Sequence, residues 1–300
     1  MWAPGSGGKG APTEVVRPYK IRTPLNDPFR LSLLPNCWYY VPSYMFDQFR
    51  QRSIELEHID KGDYTPEEYE GCIVELQRVN RWLGDASALR NSLLLEIKKL
   101  NLRSFSVLDV GAGSGELLQV IAEWARNSKR KAQLTGVELN ERSVKAIAER
   151  ATFPEITATR GDALRLPFVD KAFDYAMCSL FTHHFKNTDV VVILRELSRV
   201  STRGVFVIDL QRHPVAYYLY TTIGRLFLHN RLLREDGALS ILRSFTPREL
   251  AGLAERAALQ DIKVTRRFPY RLVLSARKKE PLARFIRKLR KERTRLQKFD

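Results

Sequence analysis

Cysteine is scarce in this 300-residue chain: Cys37, Cys72 and Cys178 are odd in number and far apart. With no CxxC pair and no zinc-ribbon spacing, neither a disulfide framework nor a structural zinc site organises the fold, and a reducing, cytoplasmic setting is expected. Long apolar runs are also missing. The longest purely aliphatic run is Val190–Leu194, far short of the ~20 residues a membrane-spanning helix requires. The opening stretch, MWAPGSGGKGAPTE, lacks the apolar centre of a secretory leader. Acid is scarce relative to base, 34 Asp and Glu against 50 Lys and Arg, for a net charge of +16. That excess fits an anionic partner such as nucleic acid, a membrane surface or an acidic ligand, but does not choose among them. Apolar residues are not scarce: at 44% they supply an ordinary globular core, and the length allows one large domain or two modest ones.

Residues 1–28 are rich in Gly and Pro without hydrophobic periodicity, and read as a disordered or extended arm. Residues 29–102 read as a helical cap. Within it, TPEEYEGCIVELQRVNRWLG opens with Thr65 as N-cap, Pro66 at the first helical position and acids in the first turn. Ile73, Leu76, Val79 and Leu83 recur at helical spacing before Gly84 ends the run. The texture changes near residue 103. FSVLDVG, AQLTGVEL, EITATRGD, FDYAMCSL and GVFVIDL read as strands separated by helical stretches, and DIKVTRRF and YRLVLSAR as two more after a helix from Thr246 to Ala258. That helix begins with a capping box, Thr246-Pro-Arg-Glu249. The alternation defines an α/β class: a doubly wound, mainly parallel seven-stranded sheet over residues 103–277. Residues 211–245, rich in Tyr, Leu and Arg, are not needed by the sheet and are expected to form a helical lid over the ligand crevice. In the tail, Ala276–Asp300 carries 11 Lys and Arg against 3 Asp and Glu, half of the excess charge. Leu282, Phe285, Ile286 and Leu289 share one face there, so residues 278–300 read as a basic amphipathic helix suited to an anionic membrane surface.

The most specific motif is VLDVGAGSGEL. Gly111, Gly113 and Gly115 follow a strand and open a helix, where glycine permits a tight turn and close approach of a ligand. The spacing is GxGxG, not the GxGxxG of dinucleotide loops. Asp109 before the loop and Glu116 after it disfavour a diphosphate and favour a cationic or zwitterionic ligand. This pattern resembles the class I S-adenosylmethionine-dependent methyltransferases, from about Val107 to Val207. The resemblance implies S-adenosylmethionine as cofactor. It puts the methionine portion on Asp109 and the backbone of Gly111, Ala112, Gly113 and Gly115, and both ribose hydroxyls on Glu138. Leu139 would flank the adenine, Asp162 and Ala163 would meet its edge, and Ser179 and Leu180 would border the methyl donor.

The same resemblance bears on the acceptor. The Asn/Asp-Pro-Pro-Tyr motif of amino-group methylation and the Pro-Cys of cytosine C5 methylation are both absent. LPFVDKAFDYAMCSLFTHHF and LRELSRVSTRGVFVIDL look like the quinone-biosynthesis and related small-molecule enzymes of bacteria, with some likeness to polyketide-type ones. A phenolic, quinone or polyketide-like acceptor methylated on oxygen or carbon is the expectation, with Trp38, Tyr217 and Tyr218 as candidate wall residues. DNA is not expected as a partner. An RNA-directed enzyme, or a cofactor-binding protein without chemistry, is the alternative. The adjacent His183 and His184 are the catalytic candidates: one faces the methyl donor as base or orienting group, with a slight preference for His184, and the other packs. Metal ligation is not expected, because no third ligand stands at a recognisable spacing and neighbouring side chains are taken to diverge.

Overall fold

The computed structural model describes residues 47–82 and 84–278. Trp38, Leu83, the arm 1–28 and the tail from residue 279 lie outside them. The elements in chain order are α1 (His58–Lys61), α2 (Pro66–Trp82), α3 (Asp85–Leu89), α4 (Leu95–Lys99), β1 (Ser104–Val110), α5 (Glu116–Asn127), β2 (Lys131–Glu138), α6 (Glu141–Arg150), β3 (Ile156–Arg160) and β4 (Phe173–Ser179). After these come α7 (Asn187–Val200), β5 (Ser201–Leu210), α8 (Pro214–Leu219), α9 (Arg225–Phe227), α10 (Arg231–Arg243), α11 (Pro247–Arg256), β6 (Ile262–Arg267) and β7 (Arg271–Arg277).

The seven strands form one sheet in the order β3-β2-β1-β4-β5-β7-β6, parallel except for β7, which runs antiparallel to both of its neighbours. Helices cover both faces, so the central strands read as nearly continuous apolar runs: Val107, Leu108 and Val110 are fully buried, as are Ala176, Met177 and Cys178. On α7 the buried residues Val190, Val191, Ile193, Leu194, Leu197 and Val200 follow helical spacing and seal one face. Two apolar cores result, one on each side of the sheet.

Strand order reverses direction between β1 and β4, and a doubly wound sheet opens its ligand crevice at the carboxyl ends of such a pair. Two further bodies flank that end. α1 and α2 pack against α10 through a third apolar cluster, in which Leu228, Leu232 and Leu233 meet Cys72 and the half-buried Leu76 and Val79. Polar groups stitch the same contact. The Asp236 carboxylate accepts the His58 and Ile59 N–H groups at the start of α1 (2.7 and 3.1 Å), and Glu75 accepts those of His229 and Asn230 (3.0 and 2.9 Å). Each carboxylate satisfies N–H groups that a helix end would otherwise leave bare. No helix among the described residues is long and apolar enough to cross a membrane.

Candidate active site

The glycine loop leaves β1 with Gly111, Gly113 and Gly115 all in the left-handed region, at φ of 71°, 60° and 80°. A Cβ on Gly111 would sit 2.2 Å from the Phe181 ring, whereas one on Gly113 would meet nothing within 4 Å. Gly111 is therefore required for packing, and Gly113 has room for a ligand as far as the described residues go. The Gly111 N–H donates to the Val137 carbonyl at 2.9 Å, and Ala112 donates to the same oxygen at 3.4 Å, which ties the loop to the end of β2. There the buried Glu138 carboxylate accepts the Gly113 N–H at 2.5 Å. Gly161 donates its N–H to the Glu138 carbonyl at 3.0 Å, bringing Asp162 and the buried Ala163 beside it. The Leu139 carbonyl accepts from Arg160 at 3.0 Å, and Asp162 Oδ1 accepts the Leu164 N–H at 2.8 Å.

Asp109 is the telling residue of this group. It is buried, and its Oδ1 has no hydrogen-bond partner among the described residues. Burial, helped by the charges of Glu138 and Glu116, pushes its carboxyl up to about 8. A buried, orphaned acid is costly unless something answers it. A ligand carrying an ammonium group would do so, and the methionine end of S-adenosylmethionine carries one. The cofactor fits these residues.

Ser179 ends β4, and Leu180 adopts a left-handed φ of 48° with its N–H donated to the Ile208 carbonyl at 2.9 Å. That conformation is strained for a non-glycine residue and turns the chain into the short 3₁₀ turn Thr182–His184. Here a residue overlooked in the sequence takes part. Asp209, one residue before the end of β5, is fully buried and receives four hydrogen bonds. These come from Thr182 Oγ1 (2.5 Å), the His183 N–H (3.2 Å), the Leu210 N–H (2.8 Å) and His183 Nδ1 (2.6 Å). Burial alone would raise its carboxyl, but the charge and hydrogen bond of His183 and the other donors outweigh it, holding the group at about 2. Ionised Asp209 can only accept, so Nδ1 of His183 donates the hydrogen of their bond, which leaves Nε2 as the ring's second nitrogen.

The two histidine rings do not diverge as expected. Their centroids are 4.2 Å apart at 35°, because a tight 3₁₀ turn does not alternate its side chains as a strand would. His184 is half-buried, with Nδ1 at 3.6 Å from both Glu57 Oε2 and Asp60 Oδ2. Burial pulls its basicity down, but those two carboxylates more than reverse this and raise it.

Two arginines hold the turn in place. Arg52 donates to the carbonyls of His183 (3.1 Å) and Phe185 (3.2 Å), to Asn187 Oδ1 (2.6 Å) and to the Arg243 carbonyl (2.6 Å), and lies 4.0 Å over the Phe245 ring. Arg243 donates to the carbonyls of His183 (3.3 Å), His184 (2.6 Å) and Glu55 (2.6 Å). Beyond β5, Tyr217 and Tyr218 on α8 form an edge-on aromatic group with Phe49, at centroid distances of 5.5 and 6.0 Å. Arg212 joins that group to the strand end by donating to the Phe49 carbonyl at 3.0 Å. Of the residues singled out in the sequence, the cofactor set and the histidines thus gather at the carboxyl ends of β1, β2, β3 and β4. The two tyrosines sit past β5. Arg52, Glu57, Asp60 and Arg243 carry no motif, and only folding reveals them. Asp209 had a signal, as an acid inside the apolar strand GVFVIDL.

Residues 107–204 match the family model described as "Methyltransferase domain". Among curated proteins, the chain is 29% identical over 177 residues to the ubiquinone/menaquinone biosynthesis C-methyltransferase UbiE of Caulobacter vibrioides, covering 53% of this chain and 69% of that one. It is 31% identical over 102 residues to the phthiotriol/phenolphthiotriol dimycocerosates methyltransferase of Mycobacterium tuberculosis, covering 32% of this chain and 36% of that one. Among solved structures, the plantazolicin methyltransferase BamL, in complex with a triazolic desmethylPZN analogue and SAH, superposes with a TM-score of 0.57 at 17% identity, covering 72% and 92% of the two chains. The sheet and the glycine-loop site define a Rossmann-like class I methyltransferase fold. The chain is an S-adenosylmethionine-dependent methyltransferase, and its similarities are to enzymes of the small-molecule type.

Proposed function

We propose that this enzyme methylates a hydroxyl or an acidic carbon of a small aromatic or lipophilic acceptor, of phenolic, quinone or polyketide-like character, and that His183 receives the acceptor's proton. The observation that carries the reading is the 2.6 Å bond between His183 Nδ1 and Asp209 at the ends of adjacent strands. Amine methylation needs no such base, but a hydroxyl or a carbon acid gains from one. The relatives named for quinone and phthiotriol substrates support a lipophilic acceptor, as does the aromatic group at Phe49, Tyr217 and Tyr218.

In this reading S-adenosylmethionine, when bound, supplies a methyl group already activated by its sulfonium. Asp109, the Gly111–Gly115 backbone, Glu138, Leu139, Asp162, Ala163, Ser179 and Leu180 hold it. The remaining work belongs to the chain. Arg52 and Arg243 fix the turn that carries His183, and cap and lid exclude water, so that the acceptor is held in line and desolvated. Nε2 of His183 takes the acceptor proton, and Asp209 stabilises the resulting imidazolium without itself becoming protonated. The test is a panel of catechols, quinols and polyketide-type phenols, with methylated products read by mass spectrometry. Methylation of a phenolic or quinol member, lost in His183→Asn, is the expected result. Methylation of RNA or of amines instead would overturn the reading.

A further inference from the structure

We propose that Glu57, His183 and His184 form a binding site for a divalent transition-metal ion of the zinc class, and that an ion held there silences the enzyme by occupying the free nitrogen of His183. The silencing clause rests on the reading of His183 as the base; the site itself does not.

One ligand atom from each of the three residues lies within 4.8 Å of the others, although Glu57 is more than a hundred positions upstream of the histidines. The 3.6 Å between His184 Nδ1 and Glu57 Oε2 is too long for a hydrogen bond, and that buried nitrogen has no hydrogen-bond partner among the described residues. It is about the separation of two atoms that share one ion through bonds of ~2.0–2.2 Å. The supporting groups are also in place. Asp209 fixes the His183 ring through Nδ1, which is how carboxylates orient metal-binding histidines. Ser240 donates to Glu57 Oε1 at 2.8 Å, leaving Oε2 turned toward His184.

Charge permits a cation. Glu57, Asp60 and Asp209 bring three negative charges, and Arg52 and Arg243 bring two positive ones. Arg243 stands 3.9 Å from Glu57 Oε1 and 3.5 Å from Asp60 Oδ2, so it offsets one carboxylate and not both. Two imidazoles and a carboxylate suit zinc, cobalt or iron(II), whereas magnesium and calcium prefer oxygen alone.

The probe is Co²⁺ added to the chelator-treated full-length protein, with Zn²⁺ as competitor. The expected result is one equivalent of Co²⁺ giving a visible ligand-field band that Zn²⁺ displaces. Glu57→Gln and His184→Asn should each weaken Co²⁺ binding at least tenfold. Zinc should lower wild-type turnover at least tenfold, and that of Glu57→Gln by less than twofold. Absence of the band, or its persistence in both variants, would overturn the site and leave the His183 base untouched. A band accompanied by zinc-stimulated turnover would overturn the silencing clause together with the base reading.

Discussion

Asp209 and Asp109 are both buried acids at strand ends, but their surroundings drive them in opposite directions. Asp209 collects four donors and stays ionised at about 2, whereas Asp109 faces only burial and like charge and rises to about 8. Their variants should therefore fail differently. On the proposed role of His183 as base, Asp209→Asn keeps the shape but cannot stabilise a His183 cation, so kcat should fall by ~10²–10⁴, the usual range for a general base. Cofactor affinity by calorimetry should hardly change, and an equal loss of affinity would mark Asp209 as structural only. For Asp109 the sign follows from its raised value: below about 8 the free carboxyl holds a proton, and an ammonium ligand drives it off. Cofactor binding near pH 7 should release close to one proton, and affinity should strengthen as pH rises toward 8. Calorimetry in buffers of different ionisation heat measures this, and Asp109→Asn should abolish the release. Glu138→Ala should weaken the cofactor by about 1–3 kcal/mol through loss of a charge-assisted acceptor. The placement of Asp109 and Glu138 beside the glycine loop was legible in the sequence, because the loop marks its own strand and the next strand end follows it. Asp209 was not, because an acid near a strand end most often meets solvent, and only its partners across β4 make it special.

At the scale of elements, the segments with local chemistry were the legible ones. The Thr246 hydroxyl accepts the Glu249 N–H while Glu249 accepts that of Thr246, the reciprocal cap expected from FTPREL. The Thr65–Glu68 pair does the same at α2. β5 differs: it begins at Ser201, before the apolar run at Gly204, because Ser201 pairs with Phe173 of β4 and the register then shifts. Polar Ser201, Thr202 and Arg203 hide that extension from any reading of hydrophobic pattern. The 3₁₀ turn at the histidines is similarly set from outside, by the carbonyl bonds of Arg52 and Arg243. Arg243 is buried between two carboxylates, so Arg243→Ala should leave an uncompensated buried cluster and cost about 3–5 kcal/mol in urea unfolding. A loss under 1 kcal/mol would mean that water or Arg52 takes over its bonds.

For the whole molecule, the alternation of strands and helices made the layered sheet readable, but not the union of its two appendages. The segments around α2 and α10 are separated by about half of the chain, and neither has a periodicity that names its partner. Their contact is decided by a small apolar cluster, Cys72 with Leu228, Leu232 and Leu233, and by the carboxylates of Glu75 and Asp236 that cap the opposite body's helix ends. This cluster is separate from the two cores that flank the sheet. The segments around α2 and α10 should therefore loosen as one unit at a free energy below global unfolding, since few apolar contacts hold them. Leu232, fully buried at the centre of the cluster, is the place to test this. Leu232→Ala should weaken the union by about 2–5 kcal/mol, the cost of deleting a buried Leu side chain. Hydrogen exchange followed by mass spectrometry should then show the amides of α2 and α10 speeding up together, while β1, β4 and β5 keep wild-type protection. Faster exchange in α10 alone would mean that α10 moves independently of α2. Joint opening would also release the histidine turn, because Arg52 and Glu57, which precede α2, and Arg243, which ends α10, all meet there.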